Sequence, residues 1–214
     1  MSFDAVAYAG AIVRAVKSVE RDGKPAKAVV ARATYDTSLE DLWEAVTTAP
    51  RIRRWFLPVS GELKLGGRYQ LEGNAGGTIT ACSAPRQFAT TWEMGGQTSW
   101  LEVRLYSDAP GKATLELTHT AVVDEAFWPT YGPGAVGVGW DLGLFGLELH
   151  ISNPAVDRPP EAAAEWATSP EALQFYRIAS TAWGEAAAAD GMVNAKEAAE
   201  NTRKFYSGEA QPAG

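Results

Sequence analysis

Hydrophobic positions follow successive patterns along the chain, and each pattern predicts a different kind of element. In residues 3–20, valine and isoleucine recur among alanines at helical spacing, and Gly23 and Pro25 follow as helix breakers. We therefore predict an N-terminal helix over 3–20. Residues 26–35 are rich in β-branched and small side chains, which favours a strand.

Helical spacing returns after this strand. Thr37 and Glu40 have the spacing of a capping box, in which Thr37 caps the helix and Glu40 bonds back to it. Leu39 and Leu42 then fall on one face of the helix that follows. Residues 51–56 predict a second, shorter helix.

The middle of the chain alternates between apolar and polar residues, which is the pattern of half-buried strands. The predicted strands are 67–72, 77–83, 87–94, 99–106 and 112–121. The segments between them are short and rich in Gly, Asn and Pro. Because parallel strands need a crossover of a dozen or more residues, these strands can pair only antiparallel.

A long helix over 134–152 follows the strands. Its large apolar residues form two opposite stripes, namely Trp140, Leu144, Leu147 and Ile151, and Val138, Leu142, Phe145 and Leu149. A sheet covers only one stripe, so we predict that helices at about 170–190 and 194–206 cover the other through Leu173, Tyr176 and Trp183. The glycines at 139, 143 and 146 predict either close packing or room for a ligand.

Composition excludes several classes of protein. No apolar run is long enough for a membrane span, and charged residues interrupt the first 25 residues, so we expect no signal peptide. A single cysteine excludes an internal disulfide and suits a cytoplasmic location. Two histidines with that cysteine form no recognisable zinc site, so we expect no metal and no cofactor. The net charge of −7 argues against nucleic-acid binding.

The order of these elements, together with a set of short motifs, resembles the SRPBCC or START-like helix-grip superfamily. The closest resemblance is to the branch of the activator of the ninety-kilodalton heat-shock-protein ATPase. The motifs that carry it are 34–43, Arg51–Pro58, Gly66–Tyr69, Gly76–Ile79, Trp92–Glu93, Leu115–His119 and Gly137–Trp140. The resemblance covers about residues 26–152.

This resemblance implies an α+β fold like that of the birch pollen allergen, in which a curved antiparallel sheet wraps around a long C-terminal helix. The START-like ligand-binding domain would be 26–152. Residues 1–25 would be an N-terminal helical extension, and 153–214 a C-terminal helical extension packed on the domain, with a disordered tail from about 208. Members of the superfamily include lipid carriers, polyketide cyclases and co-chaperones, so the fold does not determine the function.

Alternation assigns one face of the predicted sheet to an apolar cavity between sheet and helix. The expected cavity residues are Trp55, Tyr69, Ile79, Phe88, Trp92, Leu101, Val103, Leu117, His119 and Trp140. On this face His119 and Tyr69 are the polar side chains and the candidate catalytic residues. His119 either contacts a ligand or is a core histidine bonded to a backbone carbonyl or to Glu148. Burial would keep its ring neutral.

We therefore expect binding of a small hydrophobic or aromatic molecule without turnover. One alternative is a cyclase or hydratase that uses His119 and Tyr69. A second alternative, implied by the resemblance, is an interaction module for a chaperone. A homodimer is also compatible with the second apolar stripe of the long helix.

Overall fold

The computed structural model of the protein describes residues 4–156 and 160–209. Contacts within the chain divide it into two units. In its described part, the first unit contains residues 4–31, 122–145 and 160–209, and the second contains residues 32–121 and 146–156. The units differ from the predicted linear division at 25/26 and 152/153, because the first unit joins three separate segments.

Within the described residues, eight strands form one sheet, which is consistent with the expected helix-grip fold. In chain order they are β1 (Val13–Arg21), β2 (Lys24–Tyr35), β3 (Val59–Gly61), β4 (Arg68–Leu71), β5 (Gly76–Ser83), β6 (Gln87–Met94), β7 (Gln97–Ala109) and β8 (Lys112–Val122). Their order across the sheet is β1-β2-β8-β7-β6-β5-β4-β3. The pairs from β3 to β8 are antiparallel, which for β4 to β8 confirms the prediction from the short connections.

Along the chain, helices lie before, between and after these strands. They are α1 (Ala5–Ala11), α2 (Leu39–Thr47), α3 (Ala49–Ile52), α4 (Phe127–Tyr131), α5 (Gly134–Ser152), α6 (Pro160–Ala167), α7 (Pro170–Ala189) and α8 (Ala195–Ser207). The long helix has its predicted bounds. The predicted 51–56 helix is instead the single turn α3, and α4, α6 and β3 were not predicted.

The prediction of one helix over 3–20 is wrong. Helix α1 ends at Ala11, and the chain continues as β1, which joins β2 through Asp22 and Gly23. Both turn residues have positive φ, 52° and 73°. Asp-Gly between two strands is a typical two-residue hairpin turn, and such a turn reverses a strand instead of ending a helix.

The cap of α2 also differs from the predicted one. The hydroxyl of Ser38 accepts a hydrogen bond from the backbone N–H of Asp41, whereas Thr37 donates to the Asp41 side chain over 2.7 Å. Ser38 has the extended backbone of an N-cap residue, so the cap lies one residue later than the capping-box spacing indicated.

In the first unit, α7 packs along the first half of α5. The indole of Trp183 is fully buried, and a Cβ at Gly137 would lie 2.3 Å from it. Further along α5 and nearer the start of α7, the rings of Phe145 and Phe175 lie 5.6 Å apart. The side of α5 that carries Gly137 and Phe145 is therefore covered by the C-terminal helix α7. Leu173, which we expected at this contact, is 42% exposed and lies on the outer side of α7.

A buried ion pair crosses the core of the first unit. The carboxylate of Asp141 on α5 is fully buried and accepts hydrogen bonds from Arg14 Nε at 3.0 Å and Trp183 Nε1 at 2.9 Å. The remaining Arg14 nitrogens donate to the carbonyl oxygens of Ala9 and Ile12. Burial raises the pKa of Asp141 to about 6, although Arg14 opposes this shift.

In the second unit, the last turns of α5 approach the segment after α3. A Cβ at Gly146 would lie only 2.4 Å from the carbonyl oxygen of Trp55, so close packing explains this glycine. Arg51 Nε donates to His150 over 2.8 Å, and Arg51 also pairs with Asp41 over 2.9 Å. These contacts fix α2, α3 and the end of α5 together.

No helix within 4–156 or 160–209 is long and apolar enough to cross a membrane. Most of the predicted disordered tail from about 208 lies outside the described residues.

Candidate ligand site on the strand face

The register of the second unit aligns the predicted site residues in rows across four strands. His119, Leu101, Thr90 and Ile79 are successive partners from β8 to β5. Leu117, Val103 and Phe88 form the next row, two residues along each strand, which is about 6.6 Å away.

We call this side of the sheet the His119 face. It comprises Tyr69, Ile79, Phe88, Thr90, Trp92, Ser99, Leu101, Val103, Leu117 and His119. The aliphatic residues of β7 and β8 are buried, whereas Ile79, Phe88 and Trp92 are only half-buried. No charged side chain belongs to the face. It is therefore an apolar wall whose aromatic side chains retain contact with solvent.

Two of the predicted cavity residues are not placed on this wall. Trp55 belongs to the second unit, but its indole N–H donates to the carbonyl of Ala45 over 2.9 Å, and its ring lies 5.5 Å from that of Phe56. Trp140 is half-buried and belongs to the first unit. Both residues occupy helical or turn segments, where strand alternation gives no information about direction.

A bulge in β5 changes which of its residues face the wall. The register shifts between Ile79 and Ala81, so Ala81 lies opposite Ala89 and Cys82 lies opposite Phe88. Alternation from Ile79 alone would put Ala81 on the wall, but its partner Ala89 is the neighbour of the wall residue Phe88, so Ala81 faces the opposite side. One inserted residue exchanges the two faces of a strand, and nothing in the sequence of β5 indicates it.

His119 is, like Thr90, a buried polar residue of the wall, with 8% of its surface exposed. Its Nε2 lies 2.7 Å from the hydroxyl of Ser99, and its ring centre lies 5.8 Å from that of Trp92. Burial lowers the pKa of His119 to about 4, so the ring is neutral at pH 7, as predicted. The carboxylate of Glu148, considered as a partner, accepts a hydrogen bond from Ser152.

Ser99 was missing from the predicted site. It has the same alternation as Leu101 and Val103 and lies opposite Trp92, so the pattern that selected those residues also places Ser99 on the wall. A hydrophobicity pattern overlooks it because serine is polar. Its importance comes from the spatial contact with His119, which the linear sequence does not show.

The hydroxyl of Tyr69 forms its hydrogen bonds within the protein. It donates to the backbone carbonyl of Thr91 over 2.8 Å and lies 3.3 Å from the hydroxyl of Thr90. Burial raises the pKa of this phenol above its usual value of 10. A phenol whose proton is bonded to a backbone carbonyl is a poor acid catalyst, so these contacts favour a structural role for Tyr69.

Helix α2 adds an aromatic residue at the other end of the wall. Trp43 contacts Phe88 edge to face, with ring centres 6.1 Å apart. Trp43 follows Leu39 and Leu42 at helical spacing, but the sequence alone gives no partner for it. The wall thus has an aromatic end at Trp43 and Phe88 and a polar end at His119 and Ser99.

Two open grooves lie in the first unit. One, of about 510 Å³, is lined by residues of α7 and α8 and by Glu209, and the other, of about 310 Å³, by residues of α1, β1 and α7. Neither is lined by a residue of the His119 face. The described ranges also contain no group of three or more His, Cys, Asp or Glu that could hold a metal ion.

Comparisons with known proteins agree with this fold. The family model described as activator of Hsp90 ATPase homolog 1-like protein matches residues 36–147. The crystal structure of CalU16 from Micromonospora echinospora is 31% identical and covers 84% of this chain and 98% of that chain, with a TM-score of 0.63. No curated protein sequence matches the chain.

More distant structures share the fold alone. EF2215 from Enterococcus faecalis is 15% identical and covers 85% of this chain and 93% of that chain, with a TM-score of 0.58. The solution structure of the Aha1 dimer from Colwellia psychrerythraea is 14% identical and covers 60% of this chain and 98% of that chain, with a TM-score of 0.51. The match to CalU16 extends well beyond the 112 residues of the family model, to about 180 residues.

Proposed function

The chain belongs to the family of activator of Hsp90 ATPase homolog 1-like proteins, and from that premise we propose that it binds a small apolar or aromatic molecule on the His119 face without transforming it. Lipids and aromatic polyketides are examples of this ligand class. The members of this family resemble one another in fold, so the proposal depends on the side chains of this particular face.

The observation that carries the proposal is the partial exposure of large apolar side chains on a buried wall. Ile79, Phe88 and Trp92 keep solvent contact although they lie on the same face as buried Leu101 and Val103. Leaving such side chains partly in water forgoes some of the roughly 1.5–3 kcal/mol that full burial of each provides. A ligand that covers them would recover this free energy. Apolar walls with few polar groups are typical of small-molecule sites.

Catalysis by His119 and Tyr69 has less support. The low pKa of His119 makes its imidazole a weak base near neutral pH. The Tyr69 proton is bonded to a backbone carbonyl, and the face contains no carboxylate. A cyclase or hydratase would therefore need an acid or a base that is effective near neutral pH, and these two side chains do not supply one. Turnover of a bound ligand, measured by mass spectrometry, would favour that alternative.

A role as a chaperone interaction module is supported only by the description of the family. The corresponding test is stimulation of the ATPase of the ninety-kilodalton chaperone by the purified protein. A homodimer is supported only by the Colwellia protein, whose solution structure is that of a dimer, and light scattering measures the oligomeric state of this chain directly. Neither partner is needed for a ligand to bind the His119 face.

The proposal is tested with the neutral fluorescent probe N-phenyl-1-naphthylamine. We expect saturable binding by the wild type and at least a tenfold loss of affinity in Phe88→Arg, since a charge on the wall must be desolvated when the probe binds. The matched control is Thr80→Arg, which introduces the same charge at an exposed position of β5. Native mass spectrometry of the purified protein would identify a retained ligand. Equal binding by both variants, or no binding by the wild type, would refute the proposal.

A further inference from the structure

The outer side of α7 borders the larger of the two open grooves in the first unit. This groove, of about 510 Å³, is lined by Leu173, Gln174 and Arg177 on α7, by Arg203 on α8 and by Glu209. We call it the α7–α8 groove. It lies outside the residues 36–147 that match the family model, and it shares no residue with the His119 face. Its side chains therefore take no part in the proposed ligand site.

One carboxylate of the chain itself lies in this groove. Arg203 donates through Nη1 and Nη2 to the two carboxylate oxygens of Glu209, over 2.7 and 2.8 Å. Another edge of the same guanidinium donates to Glu200 on α8 through Nε and Nη2, over 2.9 and 2.8 Å. Paired bonds of this kind are the preferred geometry between an arginine and a carboxylate. The bonds from Arg203 are the main cause that lowers the pKa of Glu209 to about 2, so Glu209 is ionised at neutral pH.

A tight turn brings Glu209 to this position. Gly208, the C-cap of α8, has the left-handed φ of 74°, and the backbone N–H of Glu209 donates to the carbonyl of Lys204 over 2.9 Å. Beyond the turn, the Glu209 side chain is 54% exposed. Exposed ion pairs contribute little free energy, so a second carboxylate can replace that of Glu209 at small cost.

The arginine on the α7 side of the groove has no such partner. Arg177 is exposed, and none of the acidic side chains within 4–156 and 160–209 forms an ion pair with it. One helical turn earlier lies Leu173, a large apolar side chain that is 42% exposed. The groove thus combines two guanidinium groups with one carboxylate and one apolar side chain. In a chain with a net charge of −7, it is a local site of excess positive charge.

We propose that the α7–α8 groove binds an acidic segment of a partner protein, and that Glu209 occupies the position of one of its carboxylates in the free chain. The segment pairs with Arg177 and, after displacing Glu209, with Arg203, while one of its apolar side chains covers Leu173. A nucleic acid fits less well, because Glu200 and Glu209 repel its phosphates. A free phosphate leaves Leu173 uncovered. This surface is separate from the His119 face, so either proposal can fail without the other.

The proposal is tested on the full chain by fluorescence polarisation of a fluorescein-labelled hexapeptide in which glutamate and leucine alternate. We expect saturable binding by the wild type that weakens with salt. Glu209→Gln should bind about twofold to fivefold more tightly, because it lacks the competing charge. Arg177→Ala should weaken binding by about threefold or more. The matched control Lys196→Ala removes an exposed positive charge from α8 outside the groove and should leave the affinity unchanged.

A second hexapeptide, with glutamine in place of glutamate, separates the charged contacts from the apolar one and should bind at least about tenfold more weakly. Equal binding of the two peptides, or equal binding of the acidic peptide by wild type and Arg177→Ala, would overturn the proposal. Displacement of the peptide by equimolar inorganic phosphate would show a small-anion site instead. Dimerisation of Glu209→Gln in light scattering would show that the occupant is a second copy of this chain. If neither wild type nor Glu209→Gln binds the acidic peptide, the groove is not a peptide site.

Discussion

At the scale of single residues, the contribution of His119 to the stability of the folded protein depends on pH. Burial lowers its pKa from 6.5 in the unfolded chain to about 4 in the folded protein. The folded state therefore binds this proton less readily than the unfolded state, and charging the ring opposes folding. Above pH 6.5 the ring is neutral in both the folded and the unfolded state, and the free energy of unfolding keeps its full value. As the pH falls from 6.5 towards 4, the unfolded chain binds the proton first, and the free energy of unfolding decreases.

We predict that wild type loses roughly 3 kcal/mol of unfolding free energy through this group between pH 6.5 and 4. His119→Gln keeps a polar side chain but does not titrate, so its stability should depend less steeply on pH. The measurement is urea unfolding of both proteins at several pH values. Taking the difference between the two curves cancels the carboxylates that titrate in both. Parallel curves for the two proteins would show that His119 does not titrate as described.

The sequence predicted most of the wall but not its polar contacts. Alternation alone identified Leu101, Val103, Leu117 and His119, because strand geometry makes every second side chain face the same way. The partners of His119 and Tyr69 could not be predicted in this way. They depend on which strands are neighbours and on register, and Ser99 is 20 residues from His119 in the chain. The direction of the Trp55 side chain could not be predicted for a related reason, since periodicity gives no direction to a side chain in a turn.

At the scale of elements, the glycines of α5 show where the helix is approached most closely. Glycine within a helix costs about 1 kcal/mol relative to alanine, so a contact must compensate for it. At Gly146 a Cβ would lie 2.4 Å from the carbonyl oxygen of Trp55, and a backbone atom cannot move away as a flexible side chain can. Gly10 in α1 has no atom within 4 Å of such a Cβ.

We predict that Gly146→Ala destabilises the protein by roughly 1–3 kcal/mol through overpacking. Gly10→Ala is its matched control, because it makes the same chemical change in another helix without a clash. The control should be neutral or slightly stabilising, by up to about 1 kcal/mol from helix propensity. Thermal unfolding followed by circular dichroism measures both. Equal effects of the two substitutions would mean that the contact with Trp55 does not constrain α5.

The elements themselves were predictable where one pattern persisted over many residues. The long helix was predicted with its observed bounds, and the strands from β4 to β8 within a few residues. The prediction failed where a single residue decides the geometry. Asp22-Gly23 is a hairpin turn that the helical spacing of the preceding residues concealed, and the bulge between Ile79 and Ala81 leaves no mark on the pattern of β5.

At the scale of the whole molecule, the terminal segments of the chain belong to a core of their own. In the first unit, residues from both ends pack with the first half of α5, through the Arg14–Asp141 pair and the ring contacts of Phe145. CalU16 matches about 180 residues of this chain, so these segments are shared with that protein in large part. The linear boundaries expected from the sequence followed the extent of the family resemblance, which carries no information about which distant segments meet.

Deleting residues 154–214 tests whether the first unit needs its C-terminal helices. The deletion uncovers α5 where Trp183 packs on Gly137 and removes both Phe175 and the Trp183 donor to Asp141. Each large apolar side chain contributes about 1.5–3 kcal/mol when buried, and a whole domain is stable by only about 5–15 kcal/mol. We therefore predict that the shortened chain is insoluble or unfolded, as judged by gel filtration and circular dichroism.

Co-expression of residues 154–214 as a separate chain should restore a soluble complex, because it returns the same side chains to α5. A shortened chain that is soluble, monomeric and melts at the wild-type temperature would contradict this account of the first unit.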